Sequence, residues 1–584
     1  MHRSRFSALN GLLIFAVVAI FLYFASQYKD TDPVSIKPNK ISYSSDVSGK
    51  NGMVVSANKY ASEIGLNILK KGGNAIDAAV ATAFALAVTY PQAGNIGGGG
   101  FMLIRAKDTI TSIDFREKAP SSASKDMFLD EKGNFIPDKS QFGYLSCGVP
   151  GSVAGLLYAQ RKYGSLPIDS VIDPAIDLAE NGFELEPQLA SSLNAHYGEF
   201  SKFESTKKIF TQKGVNFTAG ELFVQKDLAN TLKLIKIHGE DGFYKGITAD
   251  LIDKQMKKGG GLISKQDLLN YSCVERNVLH GTYKGLDIYS MAPPSSGGVA
   301  LIQLLNMVED DRVPDTNDVE WMSGYYHMIA ECMKRVYADR SEYLGDPEFN
   351  DIKVHDLLSK QYSKERRKQI RDTVTPPNEI QPGLKTFYKE GENTTHLSVV
   401  DKDGNMVSLT TTLNNLYGSF VVVDGAGFLL NDEMDDFASK PGEPNMFGLI
   451  GSDANSIQPD KRMLSSMTPT IVMSNGKPLI VIGSPGGGRI ITSVFLTLLN
   501  IFDFKYPLNL AIDKPRFHHQ SVPDRLQYEA GAFTPAEISV LQRFGHNLQQ
   551  VSDYGNVCGI LINWDRHIFY GHADRRGYGT AMTY

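Results

Sequence analysis

The chain has 584 residues and a formal net charge of −6, with 42% hydrophobic and 21% charged residues. That balance is the profile of a folded globular protein. It excludes collagen, coiled coil and extended disorder, and it gives bulk electrostatics no reason to recruit nucleic acid.

Arg3 and Arg5 precede an uncharged run from Phe6 to Gln27, strongest over Leu12 to Ala25. Basic residues before the run, Lys29 and Asp30 after it, and no good small-x-small cleavage site predict an uncleaved signal-anchor over residues 1–30, with a cleaved signal peptide as the alternative reading. The body is then exported and extracytoplasmic. Residues 31–50 are polar, with Pro, Ser and Lys, and read as a tether. The Ala-rich stretch opened by Asn74 and Asp77 predicts a tightly packed helix to Val88, with a side-chain cap at its start. Further helical periods recur at 153–163, 172–180, 226–237, 298–309 and 321–343. After about residue 390 the texture changes. THLSVVDKDGNMVSLTTTL predicts two strands about Lys402-Asp403-Gly404. Strands follow at 469–474 and 478–484, then a helix from about Ile490 to Asn500, and two short strands about Asp565-Arg566. Length alone divides into about four domains, yet no linker separates the halves. Strands bracketing helices predict one layered α/β unit.

The four cysteines, Cys147, Cys273, Cys332 and Cys558, have no CxxC spacing and suggest neither a zinc site nor a disulfide framework. Gly97 to Gly100 lacks the GKS/T or acidic partner of a nucleotide loop and reads as close backbone packing. Ser484-Pro485-Gly486-Gly487-Gly488-Arg489 lacks the phosphate-loop lysine. It does follow an apolar strand and precede a helix, where free N–H groups can bind an anion or an oxyanion. His518 and His519 are too close to chelate one metal comfortably and read as structural. No GxSxG elbow is present. Folding the hairpin about residue 403 sets Thr394 opposite Thr412 within one register step. A threonine hydroxyl needs a base to become nucleophilic, and an α-amine freed by cleavage before Thr394 is one. From spacing alone, ordinary strand threonines are the favoured reading.

From about Asn51 to Tyr584 the chain resembles the γ-glutamyltranspeptidases (glutathione hydrolases), which are N-terminal-nucleophile hydrolases. The residues that carry the resemblance are PQAGNIGGGGFMLI, DFREKAP, CGVPGSVAG, TTHLSVVDKDGN, NDEMDDF, LSSMTPT, GSPGGGR and PRFHHQ, in that order. The resemblance implies a precursor that cuts itself between Asn393 and Thr394. A large subunit (51–393) and a small one (394–584) would then share one four-layer αββα sandwich. It implies Thr394 as nucleophile, Thr412 steadying its α-amine, and Gly486 and Gly487 as oxyanion donors. Arg116, Ser465 and Ser466 would hold the α-carboxylate of a γ-glutamyl group, and Glu433, Asp436 and Asn414 its ammonium. The acyl group would pass from glutathione or a related γ-glutamyl compound to water, or to an amino acid or dipeptide amine, with no cofactor and no metal. Residues 440–455 resemble a lid loop. Phe447 stands there where several members carry a tyrosine, which implies a looser or purely apolar gate.

Two further readings follow from the same residues. One keeps the fold and acts on poly-γ-glutamate or as a cephalosporin-type acylase. The other is a catalytically silent surface binding protein. Retention of Arg116, Asp436 and the serine pair argues against the first, and intact Thr394, Thr412, Gly486 and Gly487 against the second.

Overall fold

The structure is a computed structural model that describes residues 41–212, 214–381, 393–438 and 452–584. Among these residues two seven-stranded antiparallel sheets form the frame. In chain order their strands are β1 (Val47–Gly49), β2 (Gly52–Ser56), β3 (Gly99–Ala106), β4 (Thr109–Phe115), β5 (Val274–Arg276), β6 (Leu279–Tyr283), β7 (Leu286–Ser290), β8 (Asn393–Asp401), β9 (Met406–Asn414), β10 (Thr470–Ser474), β11 (Lys477–Gly483), β12 (Cys558–Asn563), β13 (Ile568–Ala573) and β14 (Thr580–Thr583). One sheet runs β14-β2-β8-β9-β3-β4-β5 and the other β1-β13-β12-β11-β10-β7-β6. Each sheet therefore mixes strands from both sides of residue 394. This is the physical reason that no linker shows in the sequence: neither half closes a sheet by itself.

Helices α1 (Lys59–Lys70), α2 (Ala75–Thr89) and α3 (Ser152–Tyr163) pack on the first sheet, α4 (Ile168–Asn181) packs on α2, and α5 (Lys226–His238) packs on α4. Helices α6 (Gly297–Val308) and α8 (Arg489–Phe502) pack on the second sheet, α7 (Val319–Tyr343) packs on α6, and α9 (Pro535–Phe544) packs on α7. The strands show why both faces must be covered. Val54, Leu397 and Val399 join the core under α1 and α2, whereas Met53, Val55 and Val400 join the core between the sheets. Successive side chains point to opposite faces, so strands apolar at every position need apolar layers on both sides.

The Ala-rich helix α2 is buried along its whole length, as expected of a helix apolar all round. Asn74 accepts from the N–H groups of Ile76 and Asp77, and Asp77 accepts from Asn74 in return. Such a cap contributes about 1 kcal/mol. Asp77 also accepts from Ser165 N and Oγ, which ties the chain after α3 to the start of α2.

Two sequence expectations meet the structure differently at the amino terminus. The predicted anchor lies outside the described residues, among which no helix is long and apolar enough to cross a membrane. Of the predicted tether over 31–50, residues 31–40 lie outside the described residues, and 41–50 do not form a free tether. Ile41 is buried, Leu508 N donates to Ser44 O, and Val47–Gly49 pairs with β13, so packed chain begins by residue 41. The polar composition of 42–50 fits an edge strand as well as it fits a tether.

Candidate active site

The hairpin β8–β9 brings the two threonines together through an irregularity at its end. Pairing keeps a constant register from Val400↔Met406 to Thr395↔Thr411, then slips by one residue to Asn393↔Asn414. The extra residue of this β-bulge lies in β9, where Thr412 and Leu413 stand opposite the single Thr394. Bulges twist a strand and re-aim a side chain. Thr394 and Thr412 line one cavity with Asn414, Arg116, Glu433 and Asp436. Ser465, Ser466 and Gly487 complete its wall. The cavity measures about 20 Å³, room for about one water molecule.

The four-glycine run explains how β9 is approached so closely. A Cβ on Gly98 would come within 2.1 Å of Thr412 O, and one on Gly100 within 2.3 Å of Thr410 O. Asn95 fixes this junction: its Nδ2 donates to Thr412 O at 2.9 Å, and its Oδ1 accepts from Gly98 N and Ser152 Oγ. At the end of β9, Asn414 holds a left-handed backbone (φ 79°), a conformation asparagine tolerates. Its N–H donates to Thr412 Oγ1 at 2.7 Å, and its Nδ2 to Asp432 O at 3.1 Å.

Arg116 follows the end of β4 and is fully buried. Its Nη1 lies 2.6 Å from Glu433 Oε2, its Nη2 donates to Asp436, and Nε and Nη2 donate to the carbonyls of Met463 and Leu464. Burial opposes the arginine's charge, but Glu433, Asp436 and Glu117 together hold it more firmly protonated than an ordinary arginine. Burial pushes Glu433 and Glu117 above the ordinary carboxylate range, with Arg116 pulling each partly back. The groups expected to divide between a carboxylate and an ammonium are thus paired with one another here.

Gly486 and Gly487 connect β11 to α8 with φ values of 129° and 55°. Their carbonyls accept from Arg489 and Ile490, whereas their own N–H groups make no hydrogen bond to the described residues. Tyr337 of α7 donates to Gly488 O. Ser466 Oγ accepts from the buried Arg340 at 2.9 Å, and Arg340 Nε donates to Ser296 Oγ at 2.6 Å. Ser465 Oγ accepts from Met467 N. Phe447 lies outside the described residues, as does the side chain of Asn393.

Other motifs have structural work. His518 meets Thr492 Oγ1 and Gln520 Oε1, and burial pushes its pKa down to about 3. His519 faces Asp524 at 3.3 Å. Arg516, from PRFHHQ, pairs with Asp574, which also meets Arg576, while the Arg575 side chain is exposed. No group of three or more potential metal ligands occurs among the described residues.

Reading the sequence missed three positioning residues: Asn95, Arg340 and His396. His396 is buried between the sheets, where its nitrogens meet Thr410 Oγ1 (2.8 Å) and Ser398 Oγ (3.2 Å). Ser398 Oγ donates to Cys558 O and Ser408 Oγ to Ile482 O, stitching the hairpin to the opposite sheet. The available signal was the run of small polar residues on the inner face of two otherwise apolar strands.

Comparison with known proteins gives the lineage. Residues 61–584 match the family model described as Gamma-glutamyltranspeptidase. A glutathione hydrolase proenzyme of Escherichia coli K12 is 46% identical over 535 residues, covering 91% of each chain. Among solved structures, a cephalosporin acylase from Bacillus halodurans superposes with a TM-score of 0.82 at 28% identity, over 95% of this chain and 99% of that one. A Helicobacter pylori gamma-glutamyltranspeptidase chain matches at 48% identity and a TM-score of 0.55, over 58% of this chain and 96% of that one. The mixed α/β fold with antiparallel sheets is that of N-terminal-nucleophile hydrolases, and the chain belongs to the gamma-glutamyltranspeptidase family of enzymes.

Proposed function

We propose that this chain is a self-processing γ-glutamyl hydrolase and transferase that cuts itself between Asn393 and Thr394. The observation that carries the reading is the convergence of Thr394, Thr412, Arg116, Glu433, Asp436 and the serine pair on one cavity beside Gly487. Two findings support cleavage. Relatives are named proenzymes. The Helicobacter pylori chain matches almost end to end over only 58% of this one, as a separate large subunit would. The interleaved sheets would keep both pieces together.

In the processed enzyme the Thr394 α-amine takes the hydroxyl proton as Oγ attacks the γ-carbonyl of glutathione or another γ-glutamyl amide. The negative charge that develops on the carbonyl oxygen meets the N–H groups of Gly486 and Gly487. The amine returns the proton to the leaving nitrogen, leaving a γ-glutamyl ester on Thr394. Water, or the amine of an amino acid or dipeptide, then attacks that ester. Thr412 holds the α-amine in place. The substrate α-carboxylate replaces the acids on Arg116 and takes hydroxyl bonds from Ser465 and Ser466. Glu433, Asp436 and Asn414 receive the α-ammonium.

The cavity is too small to hold a γ-glutamyl group with Arg116 folded onto Glu433 and Asp436. Binding therefore requires exchange of that internal ion pair for the substrate's two charges. The acylase-like reading draws on the fold similarity to the cephalosporin acylase. It leaves the buried Arg116 and its acids without a zwitterion to bind. The apolar run over residues 12–25 supports an exported body tethered to a membrane.

The test is a denaturing gel and an assay with γ-glutamyl-p-nitroanilide, comparing the full chain with a Thr394→Ala variant. The full chain should run as two pieces and release nitroaniline, and the variant should stay whole and silent. An uncut, inactive full chain would refute the enzyme reading. A cut chain active only on polymeric γ-glutamate would move the assignment to that substrate.

A further inference from the structure

Arg340 stands in the last turn of α7, and its buried guanidinium spans two serines from distant parts of the chain. Nη2 donates to Ser466 Oγ at 2.9 Å, and Nε donates to Ser296 Oγ at 2.6 Å. Ser296, just before α6, passes the contact on. Its N–H and its Oγ both donate to Ser465 O, at 2.7 and 2.6 Å. One side chain from the amino-terminal side of residue 394 thus holds both members of the serine pair on the carboxy-terminal side.

The chemistry of the donors decides where the serine protons go. A guanidinium carries N–H donors and no acceptor, so Ser466 Oγ accepts from Arg340 and keeps its own proton for another partner. Ser465 Oγ accepts from Met467 N at 3.2 Å and is left in the same state. Among the described residues neither hydroxyl has an acceptor for its proton. Both are buried in the wall of the cleft that holds Arg116. Such a wall suits a group that only accepts. A carboxylate does so, whereas a carboxamide also carries an NH₂ that needs an acceptor. We propose that Arg340 is a positioning residue for specificity: it keeps the Ser466 proton aimed into the cleft, with Ser465 held beside it, and so selects an α-carboxylate over an α-carboxamide. The inference rests on the γ-glutamyl reading of the cleft. Without Arg340, Ser466 Oγ is free to turn and accept from an amide N–H, and the preference for the acid shrinks.

The experiment measures inhibition of γ-glutamyl-p-nitroanilide turnover by L-glutamate and by its α-amide, L-isoglutamine. In Arg340→Met the inhibition constant of L-glutamate should rise about tenfold, the loss expected of one hydrogen bond to a charged group. That of L-isoglutamine should change by less than about threefold, and kcat should stay within about threefold. Ser466→Ala should give the same split. Arg340→Met in the Ser466→Ala background should add nothing to it, because one residue acts through the other. Arg340→Lys keeps a cation but not the fork. It should lose about threefold, again only where Ser466 is present, and it carries the test should the methionine variant fail to cleave. Equal weakening of both inhibitors, additive losses in the double variants, or unchanged inhibition in an active Arg340 variant would each overturn the proposal and leave Arg340 a structural residue. A parent chain that stays uncut, or is cut but silent on this substrate, would instead overturn the γ-glutamyl reading, and this inference with it.

Discussion

A side chain on Gly483 would occupy the place of the His396 imidazole: a Cβ there would come within 2.2 Å of His396 Cε1. His396 lies two residues after Thr394 and Gly483 three before Gly486, so this contact sets the spacing between the hairpin end and the two glycine N–H groups. The imidazole is fixed and neutral, its pKa pushed down to about 3 by burial. Gly483→Ala must displace the ring or the loop. We expect kcat for γ-glutamyl-p-nitroanilide to fall at least about tenfold with KM nearly unchanged, because the shift moves catalytic atoms by a fraction of an ångström. Adding His396→Ala frees the space, so the double variant should regain part of the thermal stability lost by Gly483→Ala. A Gly483→Ala enzyme with the original kcat would show that the contact positions nothing.

Arg116 yields a different pattern, because it is both a binding group and the counter-charge of Glu433 and Asp436. Lysine keeps the charge but loses the planar fork. Arg116→Lys should raise KM by about tenfold to a hundredfold, with cleavage at residue 394 intact on the gel. Arg116→Met goes further and leaves two buried acids without their cation, which costs about 3–5 kcal/mol. Asp436→Asn in the Met background should return part of that stability, measured by urea denaturation. Failure of Arg116→Lys to cleave would make the residue part of the processing machinery.

Much of this site was legible in the sequence because its residues sit in short motifs whose order is distinctive. The hairpin turn at 402–404 and the pairing of Thr394 with Thr412 followed from β-periodicity alone. The inner-face contacts were not legible. His396, Asn95 and Arg340 act across long sequence separations, His396 against Gly483 and Arg340 against Ser466, and local pattern carries no information about such distances. The strands before residue 390 were also passed over. In β2 and β3 both faces are covered, so polar alternation, the usual mark of a strand, is weak. Nor did the largely polar composition of 31–50 distinguish a free tether from an edge strand.

The loop of free N–H groups makes a direct kinetic prediction. Gly487 has φ 55°, where an L side chain costs about 1–2 kcal/mol. Gly487→Ala therefore turns the peptide away from its present direction. Loss of one oxyanion donor typically lowers kcat by about 10²–10³. We expect a fall of that size, a KM within about threefold of the original, and only a modest drop in thermal midpoint. Unchanged turnover would reduce this loop to a tight turn.

Glu117 links the buried charges to pH. Burial raises its pKa to about 8, with Arg116 pulling the other way, and its Oε1 has no hydrogen-bond partner. In the unfolded chain the same group titrates near 4.3. Between about pH 4.3 and 8 the folded chain thus keeps a proton that the unfolded chain has released. Stability must fall as pH rises across that window and level off above it. Glutamine mimics the protonated acid and abolishes this contribution. In a Thr394→Ala background, which keeps the chain in one piece, Glu117→Gln should flatten the pH dependence of the urea midpoint. Its stability relative to the parent should rise by about 1–3 kcal/mol between pH 4.5 and 8.5. Glu433, shifted in the same direction by burial, accounts for the slope that remains, and adding Glu433→Gln should remove more of it. A parent chain whose stability climbs with pH across this window would show that Arg116 keeps both acids ionised throughout.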